Sequence, residues 1–146
     1  MPIASRACLL FGIAAFLCAD ARAATEDPIK KVLDAQVIAW NKKDLETFMS
    51  GYWKSEQLTF FSGGTLTRGW QQTLLRYQQR YQGEGKEMGT LSFEQIAIES
   101  LGPKSAVARG IWHLQLAEGK EVKGLFTLIL RKLPEGWRII HDHTSI

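Results

Sequence analysis

Gly124-Leu125-Phe126-Thr127-Leu128-Ile129-Leu130-Arg131-Lys132, a short turn, then Gly136-Trp137-Arg138-Ile139-Ile140-His141-Asp142-His143-Thr144-Ser145 is the stretch whose reading decides the fold. Both runs are rich in branched and aromatic residues, and the turn Leu133–Gly136 between them is too short for anything but an antiparallel return. The same pattern extends upstream. Leu91–Ser100 reads as a strand turned by Leu101-Gly102-Pro103-Lys104, and Ser105–Leu116 as the next, turned by Ala117-Glu118-Gly119-Lys120. With Val122–Lys132 and the run from Trp137 onward, they make a meander of long strands.

Alternation sorts the faces. Ala106, Ala108, Gly110, Trp112, Leu114 and Leu116 share one apolar face with Phe126, Leu128 and Leu130 of the next strand, whereas Arg109, His113, Thr127 and Arg131 lie opposite. The apolar face is the expected interior, and the other is the expected outer surface. On regular alternation His141 and His143 share the parity of Trp137 and Ile139, with Asp142 opposed.

Upstream the period changes. Asp27-Pro28 reads as an N-cap and first helical residue, and Ile29, Val32, Leu33, Gln36, Val37 and Trp40 recur at helical spacing until Asn41-Lys42-Lys43. Asp44 is a second N-cap for a short helix carrying Leu45, Phe48, Met49, Tyr52 and Trp53, with Gly51 at its fraying end. Leu58–Phe61 is a strand, Ser62-Gly63-Gly64-Thr65 a tight turn and Leu66–Arg68 the return. Trp70, Leu74, Tyr77 and Tyr81 define a third helix ending at Gly83-Glu84-Gly85. Two helices, a hairpin, a helix and a meander make an α+β domain. Three apolar helix stripes covered by one strongly curved antiparallel sheet leave a cavity at its open end.

The N-terminus predicts export. Arg6 precedes an apolar run from Ala7 to Cys18, and Ala21-Arg22-Ala23 supplies a small-x-small cleavage pattern, so residues 1–23 read as a signal peptide and 24–146 as one domain. The run is shorter than the roughly 20 apolar residues of a membrane span. Phe16 and Leu17 are too bulky for a lipoprotein signal at Cys18. Both cysteines, Cys8 and Cys18, leave with the leader, which excludes disulfides, thiolate catalysis and cysteine-bound metal in the mature domain. The formal net charge of +3 falls by one when Arg6, Arg22 and Asp20 depart, and no basic cluster remains for nucleic acid. The expected compartment is the periplasm or the outside of the cell.

On the quoted C-terminal runs, and on Ala39-Trp40-Asn41-Lys42-Lys43-Asp44-Leu45 at the first helix junction, the chain resembles the nuclear-transport-factor-2-like (NTF2-like) superfamily. The similarity is to its small SnoaL-like and DUF4440-type bacterial domains, related to the association domain of calcium/calmodulin-dependent kinase II. That resemblance implies a cone-shaped, cystatin-like fold over the whole mature chain. The superfamily spans isomerases, cyclases, dehydratases, binding modules and oligomerisation domains, so it selects no function. Such families often carry arginine where Leu125 stands here.

Candidate site residues follow from chemistry. Histidine titrates near neutral pH, which suits His143 to general acid/base work; the competing reading has His143 and Ser145 bonding locally at the sheet edge. Isomerase chemistry asks for a carboxylate base, for which Glu56 at the first strand's entry is placed, and for hydroxyl donors, for which Tyr77, Tyr52 or Tyr81 would serve. Asp142 with Arg109 offers part of an epoxide-opening set. His113, His141 and His143 do not complete a metal site, so neither metal nor cofactor is expected. Trp40, Tyr52, Phe60, Trp70 and Trp112 are the expected ligand-contacting aromatics of an apolar pocket. The leading functional expectation is binding of a small hydrophobic or carbonyl-bearing molecule by a homodimer joined through the outer sheet face. The alternatives are a cofactor-independent isomerase or lyase and a purely structural dimerisation module.

Overall fold

The computed structural model of the protein describes residues 12–145, with side chains from Arg22 onward. Helices α1 (Gly12–Asn41) and α2 (Leu45–Met49) come first, then strands β1 (Thr59–Ser62) and β2 (Thr65–Arg68), then α3 (Trp70–Tyr81). Strands β3 (Thr90–Ser100), β4 (Ser105–Gln115), β5 (Glu121–Leu133) and β6 (Gly136–Thr144) complete the chain. The expected elements are all present and their ends agree with the sequence reading to within a residue or two, except at the start of the first helix and the end of the second.

There the structure corrects the expectation. α1 does not begin at Asp27; it runs on from Gly12 with Pro28 inside it. Proline removes one backbone donor from a helix interior. The alanine-rich stretch before it, Ala19 to Ala24, is strong helix former, and it carries the helix through the lost bond. The charged start of the expected leader, Arg6, lies outside the described residues. The second junction behaves as read: the backbone N–H of Thr47 donates to Asp44 Oδ1 at 3.0 Å. α2 stops at Met49, so Tyr52 leaves the helix and instead bridges Ile139 of β6.

One six-stranded sheet has the order β2-β1-β6-β5-β4-β3. The meander pairs antiparallel throughout, but β1 runs parallel to β6, so the sheet is not wholly antiparallel. The last strand of the meander would otherwise expose a free edge, and the β1–β2 hairpin covers it. Gly63 (φ 57°) and Gly64 (φ 73°) give that hairpin its two left-handed turn residues.

Two irregularities bend the sheet. β3 slips register between Glu94 and Ala97, where Gln95 has φ 51°, and β6 slips between Ile139 and His141, where Ile140 is the extra residue. Bulges of this kind tighten twist and coil a strand. Gly110 permits the bend, because a Cβ there would stand 2.7 Å from the Phe126 ring and 3.0 Å from the Glu94 carbonyl oxygen.

The concave face faces the helices as alternation predicted. Ala106, Ala108, Trp112, Leu114, Phe126, Leu128 and Leu130 are buried with Ile29, Leu33, Trp40, Phe48 and Met49. Each such large apolar side chain contributes about 2 kcal/mol by leaving water. Arg109 lies outside, paired with Glu99.

Candidate functional site

The core does not fill the cone. A cavity of about 80 Å³ remains between α1, α2, α3 and the concave sheet. Volume of that order holds several waters or one small organic molecule. Its apolar wall comes from Leu91 and Phe93 of β3, Trp112 and Leu114 of β4, and Phe126 and Leu128 of β5. The opposite wall is aromatic: Trp40, Phe48, Phe60, Tyr77 and Tyr81 form one connected cluster, with Trp40 and Tyr81 centroids 4.8 Å apart and Phe60 stacked on Tyr77 at 5.3 Å.

Into this lining projects a carboxylate. Asp142 of β6 is 3% exposed and accepts hydrogen bonds from Tyr52 Oη at 2.7 Å and Thr144 Oγ1 at 2.7 Å. Burial pushes its carboxyl up to about 6; the hydrogen bonds from Thr144 and Tyr52, and nearby His143, pull the other way without cancelling it. Burial also raises the Tyr52 and Tyr77 phenols well above their ordinary range, and the charge of Asp142 adds to it. Tyr52 spends its proton on Asp142. Tyr77 Oη lies 3.5 Å from Tyr52 Oη, a long contact that leaves the Tyr77 hydroxyl available to a guest.

The structure brings together Trp40, Tyr52, Phe60, Tyr77 and Trp112 of the residues expected at the site. It separates three others. His143 is exposed on the convex face, 5.9 Å from the ring of Phe61, because the extra residue Ile140 reverses the parity of β6 beyond Ile139. The reversal turns Asp142 inward and both histidines outward; His141 bonds Thr59 Oγ1 at 2.7 Å through Nδ1, and burial lowers its pKa. Glu56 is exposed at the start of α3, where a side chain on Gly69 would meet its Oε2 at 2.9 Å. A carboxylate there complements the helix N-terminus and lies away from the cavity. Trp70 faces a different groove, donating from Nε1 to the Met49 carbonyl at 2.8 Å with Lys54 Nζ 5.0 Å above its ring.

Sequence reasoning named Asp142 only beside Arg109, which lies on the other side of the sheet. It missed Arg76, Arg80, Gln36, Ser62 and Thr144 in the lining. The i, i+4 repeats Arg76/Arg80 and Tyr77/Tyr81 on one helix were the signal that could have found the arginines. Leu125, where the family often has arginine, is 62% exposed on the convex face, so its substitution leaves the cavity untouched.

A cone of helices on a curved sheet, open at one end and holding buried polar groups, defines the NTF2-like class. Residues 29–146 match the model of the SnoaL-like domain, and the chain belongs to that family. An NTF2-like protein of unknown function from Shewanella oneidensis is 36% identical over 83% of this chain and 98% of its own, with a TM-score of 0.77. A protein of unknown function with a cystatin-like fold from Nostoc punctiforme shares 11% identity over 84% of this chain and 91% of its own, with a TM-score of 0.68. The association domain of C. elegans CaMKII shares 19% identity over 87% of this chain and 99% of its own, with a TM-score of 0.70. No curated protein matches.

Proposed function

We propose that the cone binds a small, largely apolar molecule whose hydroxyl donates to Asp142, or whose carbonyl accepts from Tyr77. The observation that carries this reading is Asp142 itself, a buried carboxylate facing an apolar cavity with no salt-bridge partner among the described residues. Burying a charge without a cation is costly, and its retention beside open volume is the mark of a ligand site. Trp40 and Trp112 line the same volume, so binding changes intrinsic fluorescence. Titration with 1-phenylethanol, a neutral aryl alcohol whose hydroxyl can donate to the carboxylate, should give a saturable change that Asp142→Asn weakens by roughly tenfold. A folded protein that gives no response, or an Asp142→Asn variant that binds as well as the wild type, overturns the reading.

A second reading, acid/base catalysis, is favoured by the Asp142 carboxyl lying near 6, close to working pH. The ionised carboxylate would take a proton from the carbon next to a carbonyl. The electron pair would move onto the carbonyl oxygen, and Tyr77 would donate a hydrogen bond to it. Exchange of the acetophenone methyl protons in D₂O, followed by NMR, tests this. Exchange should exceed buffer, fall as Asp142 protonates below about pH 6, and slow in Tyr77→Phe. A rate equal to buffer sinks it.

We also propose export and pairing. The leader pattern before Ala23 supports secretion, and the SnoaL-like match begins beyond it, at residue 29. N-terminal sequencing of the protein from a periplasmic extract checks the cleavage. No helix of the described residues is long and apolar enough to cross a membrane. The exposed Leu125 and Ile129 on the convex face support a homodimer there, and the likeness to an association domain agrees with it. Sedimentation at micromolar concentration decides it.

A further inference from the structure

The cavity lining carries polar groups of opposite charge. Asp142 and Tyr52 are buried in it, and Thr144 donates to Asp142. Arg76, Tyr77, Arg80 and Tyr81 of α3 belong to the same lining and are all partly or fully exposed, which puts the mouth on their side. Arginines four apart lie on one face of a helix, and the two tyrosines one position on lie beside them.

Neither guanidinium is neutralised. Arg76 donates to the Ser62 carbonyl at 2.7 Å, the Thr67 hydroxyl at 2.8 Å and the Thr65 carbonyl at 3.3 Å, and sits 4.9 Å over the Phe60 ring. All of those partners are uncharged. Arg80 lies 5.5 Å from the Tyr81 ring. Among the described residues no carboxylate pairs with either arginine. Arginine's planar fork is suited to bidentate carboxylates, and low-dielectric walls concentrate the field of charges at a cavity mouth.

We propose that the occupant of the cone is an apolar acid, entering tail first, whose carboxylate is held at the mouth by Arg76 and Arg80. This rests on the cavity-binding reading and adds the charge of the ligand. The orientation follows from the same residues. An anion placed beside Asp142 would meet its carboxylate, whereas an apolar tail there meets Phe48 and Leu128.

The test compares two molecules of one skeleton, 3-phenylpropionate and 3-phenylpropan-1-ol, by tryptophan fluorescence on the full chain. The acid should bind roughly tenfold tighter than the alcohol at low ionic strength, and the advantage should shrink in salt. Arg80→Gln should bring the ratio of the two affinities toward one. Arg76 also ties down the β1–β2 hairpin, so Arg76→Lys, which keeps the charge and loses the fork, is the second variant and should lower the ratio in part. If the alcohol binds as tightly as the acid, or if both variants leave the ratio unchanged, the charge assignment is overturned while cavity binding stands. If neither molecule binds, the cavity reading fails and takes this inference with it.

Discussion

The two faces of β6 carry the same kinds of residue and treat them in opposite ways. On the concave face Asp142 is almost wholly buried, takes hydrogen bonds from Tyr52 and Thr144, and has its carboxyl raised to about 6. On the convex face, one residue to either side, His141 and His143 pack near Phe61, with His143 exposed. The difference teaches that burial, more than residue type, selects which group is electrostatically poised. Histidine has the suitable intrinsic pKa, but aspartate has the environment.

The strongest way to break this comparison is to place a second carboxylate inside without donors. Leu128 is the cross-strand partner of Asp142 and is buried. Leu128→Asp should destabilise by about 4 kcal/mol or more at neutral pH, enough to prevent folding, as chemical denaturation would report. A mild effect would mean that the cavity is wetter than its lining implies.

A smaller effect tests the poise of Asp142. An unfolded aspartate releases its proton near 3.8, whereas the folded protein holds it up to about 6. Between those values the folded state binds more protons. The contribution of this carboxyl to stability is therefore complete below about pH 4 and is lost as pH rises through 6. Relative to Asp142→Asn, the wild type should lose about 3 kcal/mol between pH 4 and pH 7. A constant difference across that window would refute the raised pKa.

Smaller again, Tyr52→Phe deletes one of the two donors to Asp142 and should cost about 1–2 kcal/mol at pH 7. The loss should shrink at pH 4, where the carboxyl is neutral. On the convex face, His143→Ala should change stability by no more than about 0.5 kcal/mol and leave 1-phenylethanol binding intact. A loss of binding in that variant would return His143 to the site.

Much of this was legible in the residues. Asp44 caps its helix as read, Gly63-Gly64 turns its hairpin, and Ala106 to Leu114 and Phe126 to Leu130 face inward on strict alternation. Five of the expected site residues lie in the cavity because large aromatics on a helix stripe or on the apolar side of a strand have little choice but the interior. Glu56, Trp70 and His143 do not, and each failure has a local cause. Glu56 stands at a helix start, Trp70 turns toward Met49 and Lys54, and His143 follows a register slip that no propensity records.

Sequence alone determined the order of elements, the apolar faces and the family, because periodicity and turn chemistry act over a few neighbouring residues. Tertiary structure decided that β1 docks parallel to β6, that Ile140 is the extra residue, and that Asp142 rather than His143 enters the cone. The first depends on pairing between segments some eighty residues apart, and the others on a slip within the β5–β6 pair, where a shift of a single residue exchanges the side chains beyond it between solvent and cavity.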